Sequence, residues 1–457
     1  MSAPLLKLPI PVALWRLAWP LIAIGLLKTG MYLLDAFWIG TLGDRELAAI
    51  GGAAFAWWIL WIIAELGAHG VQSKVAHCVG ANTTQQIASW FTQGLYLGLF
   101  ASLLTAVAAW PLIGPYFDLL GLSDPHTVQA GQDFLSATLI GQSAFAVHAT
   151  LVAVFRGVGH TRTALLITAT SLLCNALLDP VLMFGWGVPA MGISGAAWAT
   201  TLSNIIGIVL GLVLVRRIGH SPRLERPVGE RLGPLWHIGM PVSARGITFC
   251  LVYIALGPII TAFGAVQMAA LGVGMRVEGL AYQFSVGLSS AVATLIGQQL
   301  GAGQRDKIVR TARIAAVMGN SVLIPIGIVS WFIAPMLIGW FANEPETVAA
   351  GASYLRIQCI IFLWLTMESV YEGAFVGIGR TRPTFWVGSI GTAARIPLAI
   401  VLARWLGLGI EGVWISIALS TVVKGTGLWL WFERAAANAT LSVPTKQGAV
   451  VTESRSE

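Results

Sequence analysis

LAAIGGAAFAWWILWIIA, residues 47–64, runs eighteen residues without a charged side chain. As an α-helix it covers about 27 Å at 1.5 Å per residue, close to the ~30 Å hydrocarbon core of a bilayer. It lacks the strict apolar–polar alternation of a membrane barrel strand. In lipid every backbone N–H and C=O must be bonded within the protein, so this stretch reads as a spanning helix. The rest of the chain agrees. Of 457 residues, 56% are hydrophobic and 10% charged, against about 25% charged in a soluble domain. So few charges cannot cover a water-facing surface of this size. The fold class expected is all-α and integral to the membrane.

Apolar runs bounded by charged or Gly/Pro-rich breaks give twelve spans. They fall at about 14–40, 46–72, 90–113, 130–155, 163–185 and 193–215, then 235–262, 268–295, 312–338, 349–375, 384–405 and 410–432. With the N-terminus inside, nineteen of the 27 Lys and Arg fall in inner segments, Arg156 and the five arginines of 216–233 among them. Two, Arg45 and Arg404, fall in outer ones. This asymmetry predicts cytoplasmic termini. It also explains the net charge of +7 without nucleic acid. The first apolar stretch is too long for a cleavable signal and more follow, so it is expected to insert the chain itself.

The opening of the quoted stretch recurs. Leu47-Ala48-Ala49-Ile50-Gly51 returns as Met268-Ala269-Ala270-Leu271-Gly272, 221 residues later. Trp19-Pro20 matches Met240-Pro241, and Gly80-Ala81 matches Gly301-Ala302, at the same offset. Phe155–Arg162 matches Phe375–Arg382 at 220, and Gly192–Gly195 matches Gly409–Gly412 at 217. Ordered matches at a nearly constant offset indicate a duplication. Six spans per half is an even number, so the halves are parallel lobes related by an axis along the membrane normal. The expected organisation is an N-terminal lobe over 1–215, a cytoplasmic linker over 216–233, a C-terminal lobe over 234–435 and a disordered tail over 436–457. Two such lobes suit alternating access. No filter-like segment or ring-forming charge repeat favours a channel.

The residues Asp35–Gly43 followed by Leu47–Gly51 resemble the first-span signature of the multidrug and toxic compound extrusion (MATE) family. Gly80-Ala81, Gln298–Gly303, Gly157–Arg162 with its repeat, and Gly192–Thr200 resemble that family's other turns. The resemblance covers about residues 10–435. It implies export of cationic or amphiphilic organic molecules against inward flow of H⁺ or Na⁺. Leu256 stands where the duplicate of Asp35 would be, so the seventh span has no acid. The chain thus looks like the DinF-type branch, whose cation site lies in the N-terminal lobe.

An ionisable group within the membrane is costly and is a functional candidate by default. Asp35 and Asp179 each lie about six residues from the outer end of their spans, at one depth. Asn175 is one turn from Asp179 on the same face, and Thr201 and Asn204 of the sixth span lie nearby. This set is the candidate cation-coupling site. Each member also has a purely structural reading as a helix-bridging hydrogen bond. Met31, one turn before Asp35, offers no oxygen, which favours H⁺ over Na⁺. Pro20 is either a hinge or a static kink, and the duplicate Pro241 favours the kink. Lys28 is either a counter-charge for Asp35 or snorkels. Glu278 with Glu368 or Glu372 is a possible second cation site. The alternative is that these acids pair with cations across helices, as Arg245, Arg276 and Arg395 would allow. The nineteen tryptophans suit either an aromatic drug cavity or interfacial belts.

No phosphate-binding loop, H-E-x-x-H or G-x-S-x-G appears. Cys78, Cys174, Cys250 and Cys359 form no C-x-x-C pair and read as packing residues. His77, His126 and His220 read as solvated loop residues. No metal, cofactor, nucleic acid or obligate protein partner is expected. The expected partners are drug-like small molecules and the lipid bilayer, with H⁺ as coupling ion and Na⁺ as the alternative. The chain is not expected to be an enzyme. The leading expectation is a proton-coupled multidrug exporter in a bacterial-type cytoplasmic (inner) membrane. A flippase for a lipid-linked precursor is the second reading, and it requires a basic cavity. A membrane-embedded enzyme is the third.

Overall fold

The computed structural model describes residues 4–121 and 124–437. The tail after residue 437 lies outside the described residues. Among the described residues, eleven helical segments are long and apolar enough to cross a membrane: Ile10–Leu42, Asp44–Gly80, Thr84–Leu119, Pro125–Val158, Thr161–Phe184, Ile193–Arg217, Gly229–Thr261, Ala265–Gly301, Arg305–Phe332, Arg382–Trp405 and Gly409–Ala436. The tenth span is a pair, Pro345–Ile360 and Phe362–Gly377, bent by 56°. Counting that pair as one gives the twelve spans expected. Arg156, counted among the inner residues, lies in the last turn of the fourth span.

The local start and stop signals are legible. Asp124 opens the fourth span by accepting from Thr127 N at 3.1 Å and Thr127 Oγ1 at 2.7 Å, which satisfies an N-terminal donor. Gly159 closes that span at φ 90°, a left-handed position that glycine takes without steric cost. His160 N then donates to Phe155 O at 2.9 Å, the six-to-one bond of a Schellman cap. Gly379 does the same at φ 73°, with Arg380 N donating to Phe375 O at 3.0 Å. The repeated Phe…Gly-x-Gly-x-Thr-Arg stretch is therefore one cap used twice.

The same repeat resolves a problem that proline creates. A proline inside a helix removes the bond to the carbonyl four residues earlier, which is Arg16 for Pro20 and His237 for Pro241. Thr161 Oγ1 donates to Arg16 O at 3.4 Å. Thr381 Oγ1 donates to His237 O at 3.1 Å and to Ile238 O at 2.8 Å. Pro20 thus sits buried in an unbroken helix.

Packing distinguishes the two ends of the bundle. At the end that carries the first span's N-terminus, one core joins both lobes: Leu14, Leu17, Val75 and Phe155 with Leu295, Ile296 and Phe375. At the opposite end the lobes keep largely separate cores, Ile39, Ala53, Phe117 and Phe134 in one, Leu256, Tyr354 and Trp414 in the other. The two bodies thus share one core at the base and divide it above. Small residues let the helices close up, as lipid-embedded packing requires. A Cβ on Gly67 would stand 2.7 Å from Gly94 O.

The linker is fastened rather than free. Ser89, Thr92, Gln93 and Tyr96 form one stripe on the third span, at helical spacing. Thr92 bonds Arg223 O and N at 3.0 and 2.9 Å, and Gln93 bonds Arg226 O and Val228 N at 2.9 Å each. Tyr96 donates to Glu225 O at 2.6 Å, and Ser89 to the Glu225 carboxylate. His220, within this strap, is buried rather than solvated. Burial there holds its imidazole below the ordinary histidine range, against a smaller opposing effect of the Gly219 backbone.

Candidate functional site

The first and fifth spans bring Asp35 and Asp179 together. Asp35 is seven residues before the end of its helix and Asp179 five before the end of its own. Their carboxylates are close neighbours, near enough to act on one another electrostatically. No N–H or O–H of the described residues donates to Asp35 Oδ1 or Asp179 Oδ2, and both atoms are shielded from solvent. An ionised carboxylate only accepts, so two of them side by side are satisfied by one proton held between them. Asn175 Nδ2 donates to the other Asp179 oxygen, Oδ1, at 2.8 Å. Asp179 is fully buried and Asn175 nearly so.

The third partner comes from the sixth span, at a register one residue from that expected. Thr200 Oγ1 reaches Asn175 Oδ1 at 3.5 Å. Thr201 instead turns toward the fourth span, where it fills the space a Cβ on Gly141 would need, and bonds Ala197 O at 2.9 Å. One residue rotates a helical side chain by about 100°, enough to move it from one neighbour to another. Asn204 is buried one turn beyond Thr200, and the hydrogen bonds at the acid pair come from other residues. Lys28 lies over the Trp61 ring, 4.9 Å from its centroid, so it is engaged away from Asp35. Met31 is buried one turn before Asp35. His148, which the sequence did not single out, is buried in the same lobe with its Nε2 3.2 Å from Ser171 Oγ. A lone histidine carried no signal that could have found it.

In the other lobe the expected trio is not assembled. Glu368 meets Arg245 at 3.2 Å and Lys424 at 2.9 Å, and Glu372 meets Arg245 at 2.7 Å. Glu278 instead accepts from Tyr354 Oη at 2.6 Å. Glu368 and Glu372 are neutralised by cations on the seventh and twelfth spans, which is the pairing alternative. Arg395 is buried, with Nε on Ser420 Oγ at 2.6 Å and its guanidinium against Phe249 and Tyr253. Arg276 is exposed.

A two-lobed bundle of twelve parallel-duplicated spans, with a buried acid pair in one lobe, defines a membrane transporter. The MatE family model matches residues 20–181 and 241–401, two copies that repeat the internal duplication. The chain belongs to this family, the MATE transporters, and is not an enzyme. It is 25% identical to the probable multidrug resistance protein NorM of Thermotoga maritima, over 91% of each chain. It is 26% identical to the protein of the same description in Pseudomonas aeruginosa, over 92% of this chain and 88% of that one. Its fold superposes on a variant of the Vibrio cholerae MATE transporter VcmN with a TM-score of 0.85 at 22% identity, over 94% and 97% of the two chains.

Proposed function

We propose that this transporter exports cationic or amphiphilic drug-like molecules in exchange for H⁺, with Asp35 and Asp179 as the proton-carrying pair. The carrying observation is the closeness of two buried carboxylates, each with a shielded oxygen that no protein donor reaches, which a proton held between them would satisfy. A second proton, or loss of the first, breaks that bridge and frees the first span from the fifth. The relatives' description as multidrug resistance proteins supports the substrate class. Asn175 turns its N–H groups toward the pair and its oxygen toward Thr200. Na⁺ needs oxygens facing it, so this orientation favours H⁺. Leu256, packed in the core in place of a second-lobe acid, supports the DinF-type branch. The charge asymmetry supports a bacterial-type inner membrane with cytoplasmic termini. The flippase reading loses one of the cations it would use, because Arg245 is engaged by two carboxylates.

The test is ethidium or norfloxacin export from cells lacking their main efflux pumps, while the proton gradient is collapsed. Export is expected to stop on collapse and to be absent in Asp35→Asn and Asp179→Asn. Export that persists in those variants moves the coupling site elsewhere, and a requirement for external Na⁺ replaces the ion.

A further inference from the structure

The shared end of the bundle is closed by contacts that obey the duplication. His77, at the end of the second span, and Gln298, at the end of the eighth, stand 221 residues apart. His77 Nε2 lies 2.7 Å from Gly377 O. Gln298 Nε2 donates to Gly157 O at 3.1 Å and Val158 O at 3.3 Å. Gly157 and Gly377 are themselves duplicates, 220 residues apart. Each lobe therefore sends one side-chain donor into the same carbonyl of the other lobe's cap.

The glycines beside them behave alike. A Cβ on Gly80 would overlap Gln298 O, and a Cβ on Gly301 would overlap His77 O. The two helix ends touch backbone to backbone, with no room for a methyl group. Gln72 adds a bond without a counterpart, its Nε2 reaching Ser290 O at 3.0 Å and Ser290 Oγ at 2.9 Å. Nothing wider than these contacts separates the lobes along this line, so a solute cannot pass here while they hold.

We infer that His77 and Gln298 are the two halves of a reciprocal latch that holds the cytoplasmic gate shut, with Gly80 and Gly301 as the close-contact points that let it seat. The latch is a positioning device. It touches neither the drug nor the coupling ion, and it sets how much of the protein rests closed to the cytoplasm. It goes beyond the coupling proposal and does not depend on which ion drives the cycle. Both halves are uncharged donors to a carbonyl, so an amide can replace the imidazole at position 77.

The test places spin labels at Gln85 and Asp306, both exposed and on opposite sides of the seam, with the four native cysteines replaced by alanine. Distances are measured by pulsed electron resonance in lipid nanodiscs. His77→Ala and Gln298→Ala are each expected to raise the open-to-closed ratio about five- to tenfold, the effect of one buried hydrogen bond. His77→Gln, which copies the other half, is expected to restore the parent distribution. Gly301→Ala is expected to shift it toward open. A parent-like distribution in both alanine variants overturns the latch. So does a His77→Gln protein that elutes as a single folded species yet opens as His77→Ala does. If one alanine variant does not fold, the other gives the same reading from the opposite lobe.

Discussion

Thr381 donates its hydroxyl to the His237 carbonyl at 3.1 Å, the carbonyl that Pro241 deprives of its helical partner. Thr161 stands in the same relation to Arg16 and Pro20, at the longer distance of 3.4 Å. Removing the hydroxyl leaves a partly buried carbonyl without its partner, at a cost of about 1 kcal/mol. Thr381→Val is expected to lower the melting temperature in detergent. In a Pro241→Ala background, where the helix can remake its own bond, less than half of that loss should remain. Additive losses would show that the threonine does something other than cap the freed carbonyl.

The acid pair predicts a contrast between adjacent residues. Thr200→Val removes the hydroxyl on Asn175, and a hydrogen bond of about 1 kcal/mol corresponds to a roughly fivefold change. Proton-driven ethidium export should fall by about that factor. Thr201→Val keeps the volume against Gly141 and should export at nearly the parent rate. The reverse order would restore the register read from the sequence.

Breaking a buried ion pair by removing one partner costs about 3–5 kcal/mol, because the other charge stays behind. Glu368→Gln should therefore reduce folded yield and thermal stability sharply, since Lys424 is buried beside it. Glu368→Leu together with Lys424→Met should recover most of the loss, with Arg245 retained by Glu372. Export per folded molecule should survive in the double variant. Its disappearance would place a coupling role in the second lobe.

The strap along the third span makes a protease prediction. Gln93 is fully buried and holds the strap at two points. Gln93→Leu leaves both backbone groups to find other partners and frees the segment locally. Tryptic cleavage after Arg223 should become about tenfold faster, read on a gel. Unchanged cleavage would mean that Ser89, Thr92 and Tyr96 suffice to hold the segment.

Spans, duplication and parallel lobes were legible because lipid demands long apolar runs and because the repeat survives as Gly-x-Gly-x-Thr-Arg and Leu-Ala-Ala-Ile-Gly. Asp35, Asp179 and Asn175 were legible because a carboxylate in an apolar run is conspicuous and one turn of helix is easy to count. The sixth-span partner was not, since its register depends on how the helix rotates against its neighbours. Glu278 was grouped with Glu368 or Glu372 only as an acid within a span, and that says nothing about which way a side chain turns. His77 was read as a solvated loop residue. Its helix runs to Gly80, and its partner lies 300 residues away, beyond any local pattern.

The reciprocity between Gly80 and Gly301 has the form of an isologous dimer interface, in which one patch meets its own copy across a two-fold axis. A single six-span half carries both surfaces needed to build it: the donor on its second helix and the carbonyl at the end of its fourth. Such a half, inserting always in one orientation, could have met another of its kind side by side. The fused chain then inherits a join made from one contact written twice.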